Sequence, residues 1–135
     1  MITKKTKRPI LLCSIAFALL TNAVVSADES TWRIYSEAAN GDVHFFDPSR
    51  VERKSALHTV WTRIRYKRNV MAASSYQSLL EIDCSNGTEQ TLQRTFFTDR
   101  VWEVPAMMTD MKPKRKRPIR KGSAAERLSA ILCGP

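Results

Sequence analysis

The feature that most narrows the fold of this chain is the cysteine pair that survives its export. Residues 1–27 read as a secretory signal. Lys4, Lys5, Lys7 and Arg8 make a positive start, residues 10–20 are apolar, and Val25-Ser26-Ala27 supplies small residues before a cut at Asp28. The apolar run is too short for a helix that must cross about 30 Å of hydrocarbon. Cys13 follows Leu11-Leu12 at the start of that run, not a small residue at its end, so a lipid anchor is rejected. Of three cysteines, Cys84 and Cys133 remain, in a compartment where disulfides form and persist. A bridge between them is expected; the alternative, two unpaired buried thiols, is disfavoured by export. The bridge would close a loop of about 50 residues and contribute roughly 4 kcal/mol on a chain-entropy argument.

Residues 28–135 suffice for one domain with a modest core. The full chain carries a net charge of +9, and loss of the four cations of the signal leaves +5. That excess is local. Lys112, Lys114, Arg115, Lys116, Arg117, Arg120 and Lys121 outweigh it by themselves, so the rest of the domain is slightly acidic. One basic segment, within residues 109–121, on a nearly neutral body argues against a general nucleic-acid binder.

Most of the remaining chain alternates with the period of two that marks half-buried strands. Residues 31–36 (TWRIYS) set Trp32 and Ile34 against Arg33 and Tyr35. Asn40-Gly41 predicts a turn into residues 42–47 (DVHFFD), and Pro48-Ser49 predicts a break before a brief edge strand at residues 50–54. Residues 57–67 put Val60, Thr62, Ile64 and Tyr66 on one face and Trp61, Arg63, Arg65 and Lys67 on the other. Residues 74–84 alternate likewise, so antiparallel pairing is expected to bring Arg63 and Arg65 toward Glu81 and Asp83. Asn86-Gly87 predicts a turn, residues 91–98 a strand, and residues 101–107 a further one limited by Pro105.

Pro113 and Pro118 disfavour regular structure in the basic segment. Ser123 and Glu126 then form a capping box, and Ala125, Leu128, Ile131 and Leu132 follow at helical spacing. The expected fold is α+β: an antiparallel sheet of five or six strands with one C-terminal helix, from about residue 124 to 133, tied to the sheet by Cys84 and Cys133. A helix of barely three turns needs that packing to persist.

These elements in this order resemble the surface-adhesin protein E family of Gram-negative bacteria. The resemblance rests on Trp32, the Val43-His-Phe-Phe-Asp47 strand after a Gly turn, and Val60-Trp61. Tyr76-Gln-Ser78 leading to Asp83-Cys84, and Gly122-Ser123 before a helix ending in Cys133, continue it. It implies an exported domain, in the periplasm or at the cell surface, with a sheet, a C-terminal helix joined to it by one disulfide, and sometimes a homodimer. The named member of the family is an adhesin for host matrix and serum proteins. The basic run KPKRKRPIRK is longer here than the family's usual stretch before the Gly-Ser helix start.

The basic run is the leading candidate site, as an anion-binding segment for an acidic protein, an acidic polysaccharide or lipopolysaccharide; the alternative is a solvated loop. Trp61, Arg63, Arg65, Lys67 and Arg68 form a second basic surface, read as a solvent face neutralised by Glu81 and Asp83. His44 and His58 lie in strand patterns with no nucleophile beside them, and the cysteines are committed to a bridge. No enzyme, metal or cofactor is therefore expected. Neither is a nucleic-acid partner, nor a transmembrane segment once the signal is gone. The functional expectation is an adhesin-like envelope protein, or else a periplasmic envelope-maintenance or structural protein without adhesin activity. Intact-mass measurement of protein recovered from the envelope should give a chain starting near Asp28 with no alkylatable thiol. A retained N-terminus or two reactive thiols would contradict this.

Overall fold

The computed structural model describes residues 31–135, so the signal read at residues 1–27 lies outside the described residues. Six strands and one helix follow in order: β1 (Arg33–Glu37), β2 (Val43–Lys54), β3 (Leu57–Val70), β4 (Ala73–Asp83), β5 (Thr88–Phe97), β6 (Arg117–Pro118) and α1 (Ala124–Cys133). Each strand pairs antiparallel with the next, giving one meander in chain order. The expected α+β architecture is therefore the observed one.

Alternation along the central strands decides which sheet face is covered. Phe46, Val60, Leu80 and Ile82 point to the same side and meet Leu128 and Leu132 of α1. The helix begins where the capping box predicts. Ser123 Oγ accepts the Glu126 amide at 3.1 Å, and the Glu126 carboxylate accepts the Gly122 amide. A disulfide joins Cys84, just after β4, to Cys133 at the last turn of α1, with Cα atoms 5.7 Å apart. The predicted apolar stripe is narrower than its spacing suggests. Leu128 and Leu132 project about 40° apart and are buried, but Ile131 is 49% exposed.

Two strand expectations change. Ile34 is solvent-exposed, and Tyr35 packs on the core instead, with a register shift between Ile34 and Ser36. The predicted break at Pro48-Ser49 is a bulge inside one long strand. Phe46 pairs with Thr62 and Val51 with Val60, so residues 47–50 lie opposite Trp61 alone. β1 pairs only as far as Phe46, so beyond it the outer edge of β2 has no strand partner among the described residues, and a proline without an amide proton is tolerated there. The buried Asp47 carboxylate shapes the bulge by accepting the Ser49 amide at 2.9 Å, the Ser49 hydroxyl and Arg50 Nε. These hydrogen bonds outweigh the cost of burial and hold its pKa below the usual carboxylate value.

The strand predicted at residues 101–107 does not form. Only a single bridge, Phe97 to Pro105, occurs there, and Trp102 adopts a left-handed φ of 61° that no regular strand accommodates.

Leu128→Ala should destabilise the domain by about 2–5 kcal/mol, because it opens a cavity between helix and sheet. Ile131→Ala should change stability by about 0.5 kcal/mol or less, as at an exposed surface position. Urea unfolding of the two variants distinguishes this narrow contact from a full four-residue stripe, which would make both costly.

Candidate functional site

The basic segment is not a free loop. From Val104 to Ile119 the chain runs back along the outer edge of β5 as a ragged strand. The Thr98 amide donates to the Val104 carbonyl at 2.9 Å and the Ala106 amide to Phe96 at 2.8 Å. Arg94 and Asp110 exchange both backbone bonds, the Lys114 amide reaches Thr91, and the Ile119 amide reaches Gly87. Only Arg117–Pro118 is regular enough to count as β6. The prolines keep the segment extended, as the sequence implies, and β5 holds it in place.

Carboxylates divide the seven predicted cations into two sets. Lys114 pairs with Asp110, Arg117 with Glu89 at 2.6 Å, and Lys116 lies 3.8 Å from Glu81. Lys112, Arg115, Arg120 and Lys121 are exposed and make no ion pair among the described residues. Asp110 anchors the segment. It binds the Lys114 ammonium, accepts the Lys112 amide at 3.0 Å and receives Arg94 Nε at 3.3 Å. The Lys114 side chain, then the Lys112 amide and Arg94, hold its pKa down to about 2 against the opposing effect of desolvation.

The second basic surface differs from its expectation. Arg63 lies opposite Gln77 and Arg65 opposite Ser75, so neither meets Glu81 or Asp83, which lie opposite Thr59 and Leu57. Asp83 instead accepts the Ser85 and Asn86 amides and caps the Asn86-Gly87 turn. The arginines stack on rings. The Arg63 guanidinium sits 4.2 Å from the Trp32 ring centre and 4.8 Å from that of Trp102, and it donates to Gln77 at 2.8 Å. Arg50, re-aimed by the bulge, covers Trp32 and Trp61 at 5.2 and 5.5 Å, and Arg65 covers Phe45 at 5.2 Å. Phe45 meets Trp102 edge-on at 5.6 Å. Each such contact contributes about 0.5–2 kcal/mol, more as it loses water. Trp32, Arg50 and Trp102 come from separate segments, and nothing in local spacing marks them as partners.

On the helix side, Tyr35, His44, Tyr76, Glu89, Arg117 and Ala124 line a cavity of about 230 Å³. Burial lowers the His44 pKa, Asp42 raises it and Arg127 lowers it; the ring packs edge-on to Tyr35 at 5.8 Å. Burial likewise raises the pKa of Tyr35 and Tyr76. His58 Nδ1 lies 3.6 Å from Cys84 Sγ. His58, Cys84 and Cys133 are thus close together, but bridged sulfurs are not the thiolates that bind a metal. Among the described residues no helix is long and apolar enough to cross a membrane.

The family model for surface-adhesin protein E matches residues 32–134. The chain belongs to the surface-adhesin protein E family. Protein E of Haemophilus influenzae, in its second crystal form, superposes with a TM-score of 0.61 at 10% identity, covering 77% of this chain and 87% of that one. Its selenomethionine form gives 0.60 at 11% identity, covering 77% and 86%. Protein E from a non-typeable strain gives 0.58 at 10% identity, covering 80% and 78%. No curated protein matches by sequence. At such identity the likeness carries the fold and not the surface residues, so the basic edge must be judged on its own geometry.

In this protein E-like domain, Asp110 should control how firmly the basic edge is displayed. Its depressed pKa means that its stabilising contribution is complete above the ordinary carboxylate range and is lost as pH falls through about 2. Asp110→Asn should therefore accelerate hydrogen exchange at the Lys112 amide severalfold at neutral pH while leaving β3 and β4 protected. Unchanged exchange at Lys112 would show that β5 holds the edge without the carboxylate.

Proposed function

We propose that this chain is a non-catalytic exported envelope protein that binds an acidic macromolecular partner through its basic edge. The partner is an acidic protein surface, an acidic polysaccharide or lipopolysaccharide, and the protein acts in the periplasm or at the surface of a Gram-negative cell. The observation that carries this reading is the exposure of Lys112, Arg115, Arg120 and Lys121, without a carboxylate partner among the described residues, on a backbone held to β5. Cations on a held backbone lose less freedom on binding than cations on a mobile loop. Arginine adds a fork that fits phosphate or carboxylate with two hydrogen bonds. Lys114, Lys116 and Arg117 add to the field and exchange their internal carboxylates only at a cost. Family membership supports export and an adhesin-like role. The non-catalytic reading is supported by the two histidines, one packed on a tyrosine ring and the other beside the disulfide.

Replacing Lys112, Arg115, Arg120 and Lys121 together by glutamate should abolish salt-sensitive binding to heparin or lipopolysaccharide. The melting temperature should shift by only a few degrees, because exposed cations outside any ion pair contribute only about a tenth or two of a kcal/mol each. A charge-reversed protein that binds as tightly as the parent would rule the edge out and leave the Trp61 and Arg63 face as the next surface. Protease shaving of intact cells should release fragments if the protein is a surface adhesin. Full protection would favour the periplasmic envelope-maintenance role.

A further inference from the structure

Just before the basic run, the same edge segment exposes large apolar side chains. Val101, Val104, Met107, Met108 and Met111 are 57, 54, 63, 91 and 65% exposed. Single exposed apolar residues need no explanation, but five within the eleven residues 101–111 do. The backbone causes this display. The Ala106 amide bonds to Phe96, and Arg94 exchanges bonds with Asp110, so residues 107–109 lie opposite Thr95 alone. Thr109 turns back to bond the Thr95 hydroxyl at 2.7 Å, which extrudes Met107 and Met108. Upstream, Trp102 secures the segment, with Nε1 donating to the Tyr76 carbonyl at 3.1 Å and its ring packed on Arg63 and Phe45. The strip is therefore held outward at both ends.

We propose that this edge docks on an anionic phospholipid bilayer. Val104, Met107, Met108 and Met111 enter the boundary between headgroups and acyl chains, while Lys112, Arg115, Arg120 and Lys121 engage lipid phosphates. The inference rests on the basic-edge reading above and names its partner. Between residues 101 and 121 the acidic residues are Glu103, at the upstream end of the strip, and Asp110, whose charge is already engaged by Lys114 and Arg94. A polysaccharide would satisfy the cations and leave the methionines in water. A bilayer surface satisfies both along one line, through apolar insertion and attraction to anionic lipid. Methionine suits this role because its unbranched, flexible side chain adapts to a disordered boundary.

The test is sedimentation of the exported protein with vesicles of phosphatidylcholine alone or mixed with phosphatidylglycerol, alongside heparin binding. The parent should bind the anionic vesicles and not the neutral ones, and raising salt to about 1 M should release it as the screening length falls to about 3 Å. The triple variant Met107→Ser, Met108→Ser, Met111→Ser should bind anionic vesicles at least about tenfold more weakly, since insertion energy scales with buried apolar area. That variant should retain heparin binding and an unchanged circular dichroism spectrum. The glutamate variant of the four cations should lose both. If the parent binds heparin but not anionic vesicles, or the methionine variant binds vesicles as the parent does, the lipid inference falls and the basic-edge reading stands. If the parent binds neither heparin nor vesicles, both fall.

Discussion

A single sheet has two faces, and among the described residues there is one ten-residue helix with which to cover them. Everything else in the fold answers that shortage. On one face, Leu128 and Leu132 complete a small core with Phe46, Val60, Leu80 and Ile82, and the Cys84–Cys133 bridge keeps so short a helix in place. Without the bridge, the narrow contact of two leucines would have to hold the C-terminus against its own conformational entropy. Among the described residues the opposite face has no second layer, and it is covered by stacked arginine and tryptophan side chains. Guanidinium groups over indole rings shield apolar surface and remain hydrated at their edges, which a layer of leucines would not do.

The bulge in β2 connects these two solutions. Asp47 is buried and satisfied by its own turn, and the residues it gathers carry Arg50 onto Trp32 and Trp61. A strand without the bulge would keep its ladder and lose that cover. The sheet edges are handled in a comparable way. A long exposed edge invites pairing with other chains, and β5 avoids this by taking the chain's own irregular, proline-containing and basic segment along it. The segment that protects the edge is thereby the one displayed to solvent, with its methionines and exposed cations held outward.

Much of this architecture was legible in the residue pattern. Period-two alternation located β3 and β4, the Asn-Gly pairs located two turns, and Ser123 with Glu126 located the start of α1 to the residue. Other features were not legible. The β3–β4 turn has no glycine or asparagine at its centre; Met71 and Ala72 hold left-handed φ angles of 50° and 67° because the flanking ladder demands closure there. Trp102 read as part of a further strand over residues 101–107. Its real position follows from an indole packed on Arg63, a residue 39 positions away in the chain.

By itself, then, the sequence determined the α+β class, the cysteine pairing, the helix start and the location of surplus positive charge. These follow from local chemistry: side-chain period, capping groups, turn residues and the presence of two cysteines, Cys84 and Cys133, in the described domain. Only the tertiary structure decided strand register, the extra residues of the bulges and the partner of each arginine. Those depend on which side chains meet across distant strands. Such meetings are fixed by the summed packing of a whole face, so Arg63 found two tryptophans where local pairing predicted two carboxylates. The basic run became an edge strand for the same reason. Its composition specified an extended, charged segment, and the unpaired amide and carbonyl groups of β5 decided where that segment lies.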